Sequence, residues 1–192
     1  ENTFAIGWSC HKRYKADRLD REDWRFWDSS YKLCQYIESL CYQKETLYLF
    51  GHNIYYDLQS SSFFHYFTLW GWTLDFVYDK ALSFILCIRK GNRSLKALST
   101  TNYFPVSLAK MGDAIGIPKM ESDFEDPTGE TTKAYCKNDV LITKAITEYW
   151  FTFLKDNDLG NFSLTRASQS LRAFRHRFMD KQIYLHTERD IV

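Results

Sequence analysis

The sequence predicts a layered α/β domain, and three observations predict it. Short apolar runs of strand length recur in the first half of the chain, at residues 3–9, 47–50, 73–78 and 81–90. Longer stretches with helical periodicity are interleaved with them, chiefly at 24–42 and 131–154. A composition of 45% hydrophobic and 18% aromatic residues is that of a chain that buries a core. Strands with interleaved helices form a sheet covered by helices, and 192 residues suffice for one such core.

Taken in order, Thr3 to Ser9 reads as the first strand. Cys10 to Asp23 is polar with charges of both signs, the composition of a solvated hairpin or loop rather than a binding patch. In Trp24 to Tyr42, apolar residues recur at Trp27, Tyr31, Cys34, Ile37, Leu40 and Cys41, which predicts an amphipathic helix. Leu47 to Phe50 is an aromatic-rich strand, Gly51 ends it, and a helix is expected from Leu58 to Trp70. Asp57 thus lies where a buried strand hands the chain to a helix, a usual position for chemistry in an open α/β sheet.

Thr73 to Tyr78 and Ala81 to Lys90 read as strands joined by Asp79-Lys80, with a further turn at Gly91-Asn92 and another strand at Ser94 to Ser99. A short helix is expected between Pro105 and Gly116, since proline suits a first turn and glycine a C-terminus. Lys119 to Gly129 is an acidic, turn-rich loop. The strongest helical pattern runs from Thr131 to Leu154, and a last, arginine-rich helix spans Ser163 to Met179.

Composition narrows the function. Lys and Arg total 25 against 24 Asp and Glu, so the net charge is +1 and any nucleic-acid binding is local. Five cysteines form no CxxC pair, which suits reduced thiols in a cytoplasmic protein and disfavours a zinc site. No apolar run reaches the roughly 18 residues that span a bilayer, so no membrane partner is expected.

Two acids stand out by their surroundings. Asp57 follows Asn53 at the strand–helix junction, and Asp139 follows Tyr135 by four residues, on the same helical face. A phenol and carboxylates that converge can orient a water and hold a divalent cation, while Asn53 and Tyr56 can contact a nucleotide. Either acid taken singly is better read as a helix N-cap or a surface charge.

These residues also carry a family resemblance. His52-Asn53-Ile54-Tyr55-Tyr56-Asp57 resembles the second exonuclease motif, and Tyr135-Cys136-Lys137-Asn138-Asp139 the third, of the 3′-5′ proofreading domain in family B DNA polymerases. Ser99 to Lys110 and Ser163 to Phe174 resemble flanking segments of the same family, the protein-primed viral and mobile-element branch above all. The resemblance implies an RNase H-like (DnaQ-like) mixed sheet flanked by helices. It also implies two Mg²⁺ or Mn²⁺ ions, a single-stranded DNA 3′ end as substrate, and a polymerase domain in the same parent chain. Asp57 and Asp139 would be metal ligands, and Tyr135 and Lys119 would join them in catalysis. His52, Asn53, Tyr56, Asn102 and Phe124 would face DNA. Residues 1–162 would form the exonuclease-like domain, and 163–192 a helical segment leading towards a polymerase palm.

One departure is plain. The family carries an Asp-x-Glu motif on a strand preceding the one that starts here at Thr3, and none precedes it in this sequence. The expectation is therefore either a fragment whose first strand lies upstream, or a degenerate domain that binds nucleic acid without cutting it.

Overall fold

The structure, a computed structural model, describes residues 4–15, 18–121, 126–179 and 181. It divides into two compact units, residues 1–149 and 150–192, so the division falls inside a long helix.

The first unit opens with an antiparallel hairpin, β1 (Gly7–Lys15) and β2 (Arg18–Trp27), with a bulge between Arg13 and Tyr14. Of the hairpin and the loop expected for the polar, mixed-sign stretch 10–23, the structure has the hairpin. Trp24 to Trp27 belong to β2, and the helix expected from Trp24 starts only at Ser30. The reason is local: Ser29 has extended backbone and its hydroxyl accepts from the Lys32 N–H, which fixes the start of α1 (Ser30–Ser39).

β3 (Thr46–Gly51) leads into α2 (Ile54–Ser60) and α3 (Phe63–Leu69). A single helix over 58–70 was the sequence expectation; instead Ser62 takes a left-handed conformation (φ 55) and breaks it in two. The break lets Phe63 stack on Phe67 at 3.9 Å and both rings enter the core. β4 (Thr73–Lys80), β5 (Ser83–Lys90) and β6 (Arg93–Ser99) form an antiparallel meander. The first turn is Ala81-Leu82, two residues beyond the expected Asp79-Lys80, because Ala81 accepts a positive φ of 53.

The sheet order is β3-β6-β5-β4, with β3 parallel to β6 and the rest antiparallel. This is a mixed sheet flanked by helices, consistent with an RNase H-like fold. The central strands β5 and β6 carry the apolar runs, and Phe84, Leu86, Ile88, Leu95 and Ala97 pack with Cys34, Ile37, Ile54, Leu58 and Phe67 of the helices. Among the described residues, β3 pairs only with β6 and β1 only with β2, so each has one open edge.

After a 3₁₀ turn (Thr100–Asn102) come α3's successors, α4 (Leu108–Ala114) and α5 (Glu130–Asp156). Leu108 and Met111 of α4 meet Ile142 and Ile146 of α5 in a second apolar cluster. Up to Tyr149, α5 also lies against the hairpin. Lys12 bonds Glu148, Lys144 reaches Glu22 at 3.5 Å, and Lys137 sits 4.9 Å over the Trp8 ring.

The second unit holds the end of α5 and α6 (Arg166–Phe178). Thr165 and Ser168 form a reciprocal capping box, and the buried Gln169 amide ties Ser163 N–H to the Leu159 carbonyl. Five cysteines are free thiols, with Cys34 and Cys41 buried. No helix among the described residues is long and apolar enough to cross a membrane.

Candidate active site

The site is built where β3 ends. Parallel pairing sets Gly51 beside Ser99, so the two chains leave the sheet together. A Cβ on Gly51 would stand 3.0 Å from the Ile54 side chain and 3.2 Å from Asp57 Oδ2, so a side chain here would press on both, and glycine leaves α2 room to start this close to the strand. Asn53, left-handed at φ 58, is the N-cap of α2 and makes no side-chain capping bond. Asp57 is therefore inside the first turn of α2, not its cap.

Three consecutive hydroxyls, from the last residue of β6 onward, hold this junction. The Asn53 N–H donates to Ser99 Oγ (3.1 Å), and His52 Nδ1 lies 3.0 Å from Thr100 Oγ1. Ser99 Oγ is 2.5 Å from Thr101 Oγ1, whose hydroxyl donates to the Leu82 carbonyl. The Thr101 proton is thereby committed, so Ser99 is the donor between the two. A directional chain thus runs from the Asn53 backbone to the β4–β5 turn. Nothing in composition marked these hydroxyls; the sequence signals were the run Ser99-Thr100-Thr101 at a strand end and its place in the segment from Ser99 to Lys110 that resembles the family.

The second half comes from α5 and the loop before it. Gly112 in α4 accepts the Ile117 N–H at 2.8 Å, and a Cβ there would strike the Ile117 carbonyl oxygen at 2.3 Å. The Asn138 amide donates to the Pro118 carbonyl (3.2 Å). These contacts bring Lys119 back over α5, where Nζ lies 3.0 Å from Asp139 Oδ2 and 4.9 Å over the Tyr135 ring. Desolvation would lower the Lys119 pKa, but its interactions with Tyr135 and Asp139 outweigh that and raise it.

Asp139 uses only one of its oxygens on Lys119; Oδ1 is buried without a hydrogen-bond partner. Burial, and then the negative charge of Asp139, push the Asp57 carboxyl up to about 7. Asp57 is exposed as a residue, while enough protein packs around its carboxyl for desolvation to act on it. Burial and the Lys119 charge hold His52 below its usual range, hence neutral at pH 7. Cys136 is half-buried and raised by burial, then by Asp139 and Asp57.

An orphaned carboxylate oxygen, with a second carboxyl raised by burial and then by the charge of the first, is the donor set a hard divalent cation satisfies. Among the described residues, no group of three or more His, Cys, Asp or Glu converges as a metal site. Asp57 and Asp139 thus stand as a pair.

The other residues singled out in the sequence separate clearly. His52, Lys119, Tyr135, Asp57 and Asp139 come together, while Asn53 is the N-cap of α2 and Tyr56 an exposed residue of its first turn. Asn102 is buried, and its amide grips the Phe84 backbone at both N–H and carbonyl, each at 2.9 Å. Phe124 lies outside the described residues.

No protein-family model matches the chain, and no curated protein sequence matches it. Solved structures do. The chain is similar to phi29 DNA polymerase complexed with primer-template DNA (TM-score 0.54, 14% identity, 88% of this chain and 34% of that one). It is similar to the same polymerase with primer-template DNA and incoming nucleotides (TM-score 0.58, 12% identity, 91% and 34%). Phi29 DNA polymerase complexed with single-stranded DNA also matches (TM-score 0.55, 14% identity, 91% and 35%). The chain spans about a third of the length of these polymerases and shares the fold of that part.

Proposed function

We propose that this chain is the exonuclease-domain portion of a family B DNA polymerase, hydrolysing the 3′-terminal phosphodiester of single-stranded DNA. The observation that carries the reading is the buried, unpartnered Oδ1 of Asp139 facing a site shared with Asp57, Tyr135 and Lys119. Fold similarity to part of a DNA polymerase supports it, as does the order of the two sequence motifs.

In this reading Asp57 and Asp139 hold Mg²⁺ or Mn²⁺, which when bound polarises the phosphate and acidifies a water. Tyr135 orients that water from the same face of α5. Lys119 adds a fixed positive charge beside the phosphate, where such charge stabilises a developing oxyanion. The unspent Asn53 amide and the exposed Tyr56 ring grip the terminal nucleotides, the ring by stacking. Two ions need more carboxylates than this pair supplies. The open edges of β1 and β3 suit a further strand of the Asp-x-Glu kind.

A second reading, a domain that binds single-stranded DNA without cutting it, is favoured by the two-carboxylate set alone. One experiment separates them. In the parent protein carrying the segment encoded upstream, the cutting reading expects Mg²⁺-dependent release of mononucleotides, lost on Asp57→Ala or Asp139→Ala. Activity undiminished by either change sinks it, and DNA binding with no release supports the second reading.

A further inference from the structure

Helix α6 shows its apolar side to solvent and its polar side to the protein. Polar groups hold it within the second unit. Gln169 is buried, accepts from the Ser163 N–H and donates to the Leu159 carbonyl. Arg172 Nε donates to Ser163 Oγ at 2.8 Å, and His176 Nε2 lies 2.8 Å from Asp158 Oδ1. These three residues, at i, i+3 and i+7, form one stripe of the helix. The apolar residues lie elsewhere: Ala167, Leu171, Phe174 and Phe178 are all exposed, the last three by 51, 52 and 69%. At 3.6 residues per turn their stripe stands roughly 160° from the anchored one. An amphipathic helix of a globular protein ordinarily turns such a stripe to the core.

The spacing gives the shape of what fits there. Steps of 4, 3 and 4 residues from Ala167 to Phe178 keep the stripe on a 3.5-residue period, that of a seam against which a second helix packs knobs into holes. The stripe is about 60° wide, narrower than the face a helix lays on a core and suited to a single helix. Along it the Phe174 and Phe178 rings sit 6.0 Å apart.

The charges give the sign of the partner. Arg175 and Arg177 occupy the two positions that border the seam in its second half, where Ser168 and Ser170 border it one heptad earlier. Arg175 has no hydrogen bond or ion pair among the described residues, and Arg177 makes only a 3.4 Å bond to the Asn157 carbonyl. α6 holds four arginines and no Asp or Glu. A second copy therefore brings no counter-charge in either orientation, and a parallel pairing sets arginine against arginine. We propose that the outward stripe of α6 docks an acidic amphipathic helix of a separate protein, its apolar side chains on the seam and its carboxylates beside Arg175 and Arg177. Binding here does not depend on whether the carboxylate pair cuts DNA.

The test is a titration of the ¹⁵N-labelled chain with two synthetic peptides of about three heptads, each with leucine at positions a and d. One carries glutamate at e and g, the other lysine. Expected are saturable shifts of the α6 amides with the glutamate peptide, weakening as salt rises, and none with the lysine peptide. Phe174→Ser, a change at an exposed position, should weaken binding about tenfold or more. Arg175→Glu/Arg177→Glu should lose the glutamate peptide and gain the lysine one. Lack of saturable shifts, or equal binding of both peptides, overturns the proposal. So does tighter engagement of the same amides by phosphatidylglycerol vesicles or by a single-stranded oligodeoxynucleotide, which would make the stripe a membrane or nucleic-acid contact. A dimer in sedimentation that Phe174→Ser dissolves would make it a self-association surface instead. In the longer parent protein that the exonuclease reading expects, failure to bind the glutamate peptide, with the α6 amides protected from hydrogen exchange, would mean an intramolecular cover and overturn the separate partner.

Discussion

Lys119 Nζ stands 3.0 Å from Asp139 Oδ2, and the other oxygen of the same carboxylate is buried with no partner. The protein's own cation therefore neutralises half of a carboxylate pair and leaves the other half for an external one. Lys119→Met removes that neutralisation. Both side chains of the pair are about a quarter exposed, so the loss lies between surface and buried cases, about 1–2 kcal/mol at pH 8. Thermal unfolding with and without Mg²⁺ checks it: the variant should be the less stable, and should gain more from added Mg²⁺ than the parent.

Asp57 gives stability a pH dependence whose sign is fixed. Its carboxyl keeps a proton up to about pH 7 in the folded chain, while the unfolded chain loses it near the ordinary value of about 4. Between these the native state binds more protons, so stability falls as pH rises and stays low above 7. Asp57→Asn should remove this fall and stabilise the protein at pH 8 by about 1 kcal/mol, a figure reduced because the residue is exposed. Urea midpoints at pH 5 and 8 measure it, and equal slopes in parent and variant would contradict the electrostatic coupling.

Gly112→Ala should be costly although Gly112 itself lies outside the site. The new methyl meets the Ile117 carbonyl oxygen at 2.3 Å and the Ile142 side chain at 3.1 Å, both in packed surroundings. Overpacking of this kind costs about 1–3 kcal/mol, read from urea unfolding. The displaced loop also carries Lys119, so the variant should resemble Lys119→Met in its Mg²⁺ response.

Asn102→Ala distinguishes a structural amide from a DNA contact. The amide satisfies both backbone groups of Phe84 in a buried setting, and leaving them unpaired costs about 2–3 kcal/mol. Melting should drop accordingly. Oligonucleotide affinity, measured well below the melting transition, should stay within about twofold of the parent, and a larger loss would return Asn102 to the DNA-facing set.

The cysteines should differ in reactivity. Burial pushes the Cys34 and Cys41 thiols up to about 12, so almost no thiolate exists at pH 8. Iodoacetamide followed by peptide mass mapping should leave both unmodified in the folded chain and label them after denaturation. Labelling of either in the native state would mean that the α1 packing opens.

Much of the arrangement was legible in the residues. The apolar runs of β5 and β6 are strands because they are buried on both faces, and the 3.6 period of α5 survived because a 27-residue helix offers the signal many repeats. Boundaries were less legible where a single residue decided them. Ser29 delayed α1, Ser62 split a helix, and Ala81 moved a turn by two residues, each through a cap or a positive φ that hydrophobic pattern does not encode.

By itself the sequence determined the α/β class, the residue types at the site, and the i, i+4 placement of Tyr135 and Asp139 on one helix face. Local periodicity is enough for those. Only the tertiary structure decided that Lys119 pairs with Asp139, that Asp57 sits close enough to Asp139 to be raised by it, and that Asn102 serves Phe84. Those relations join residues 18 to 82 positions apart, and they depend on strand pairing, on a glycine-sized gap at Gly51 and Gly112, and on a chain of hydroxyls. Distance along a chain carries none of that information until the sheet brings the segments together.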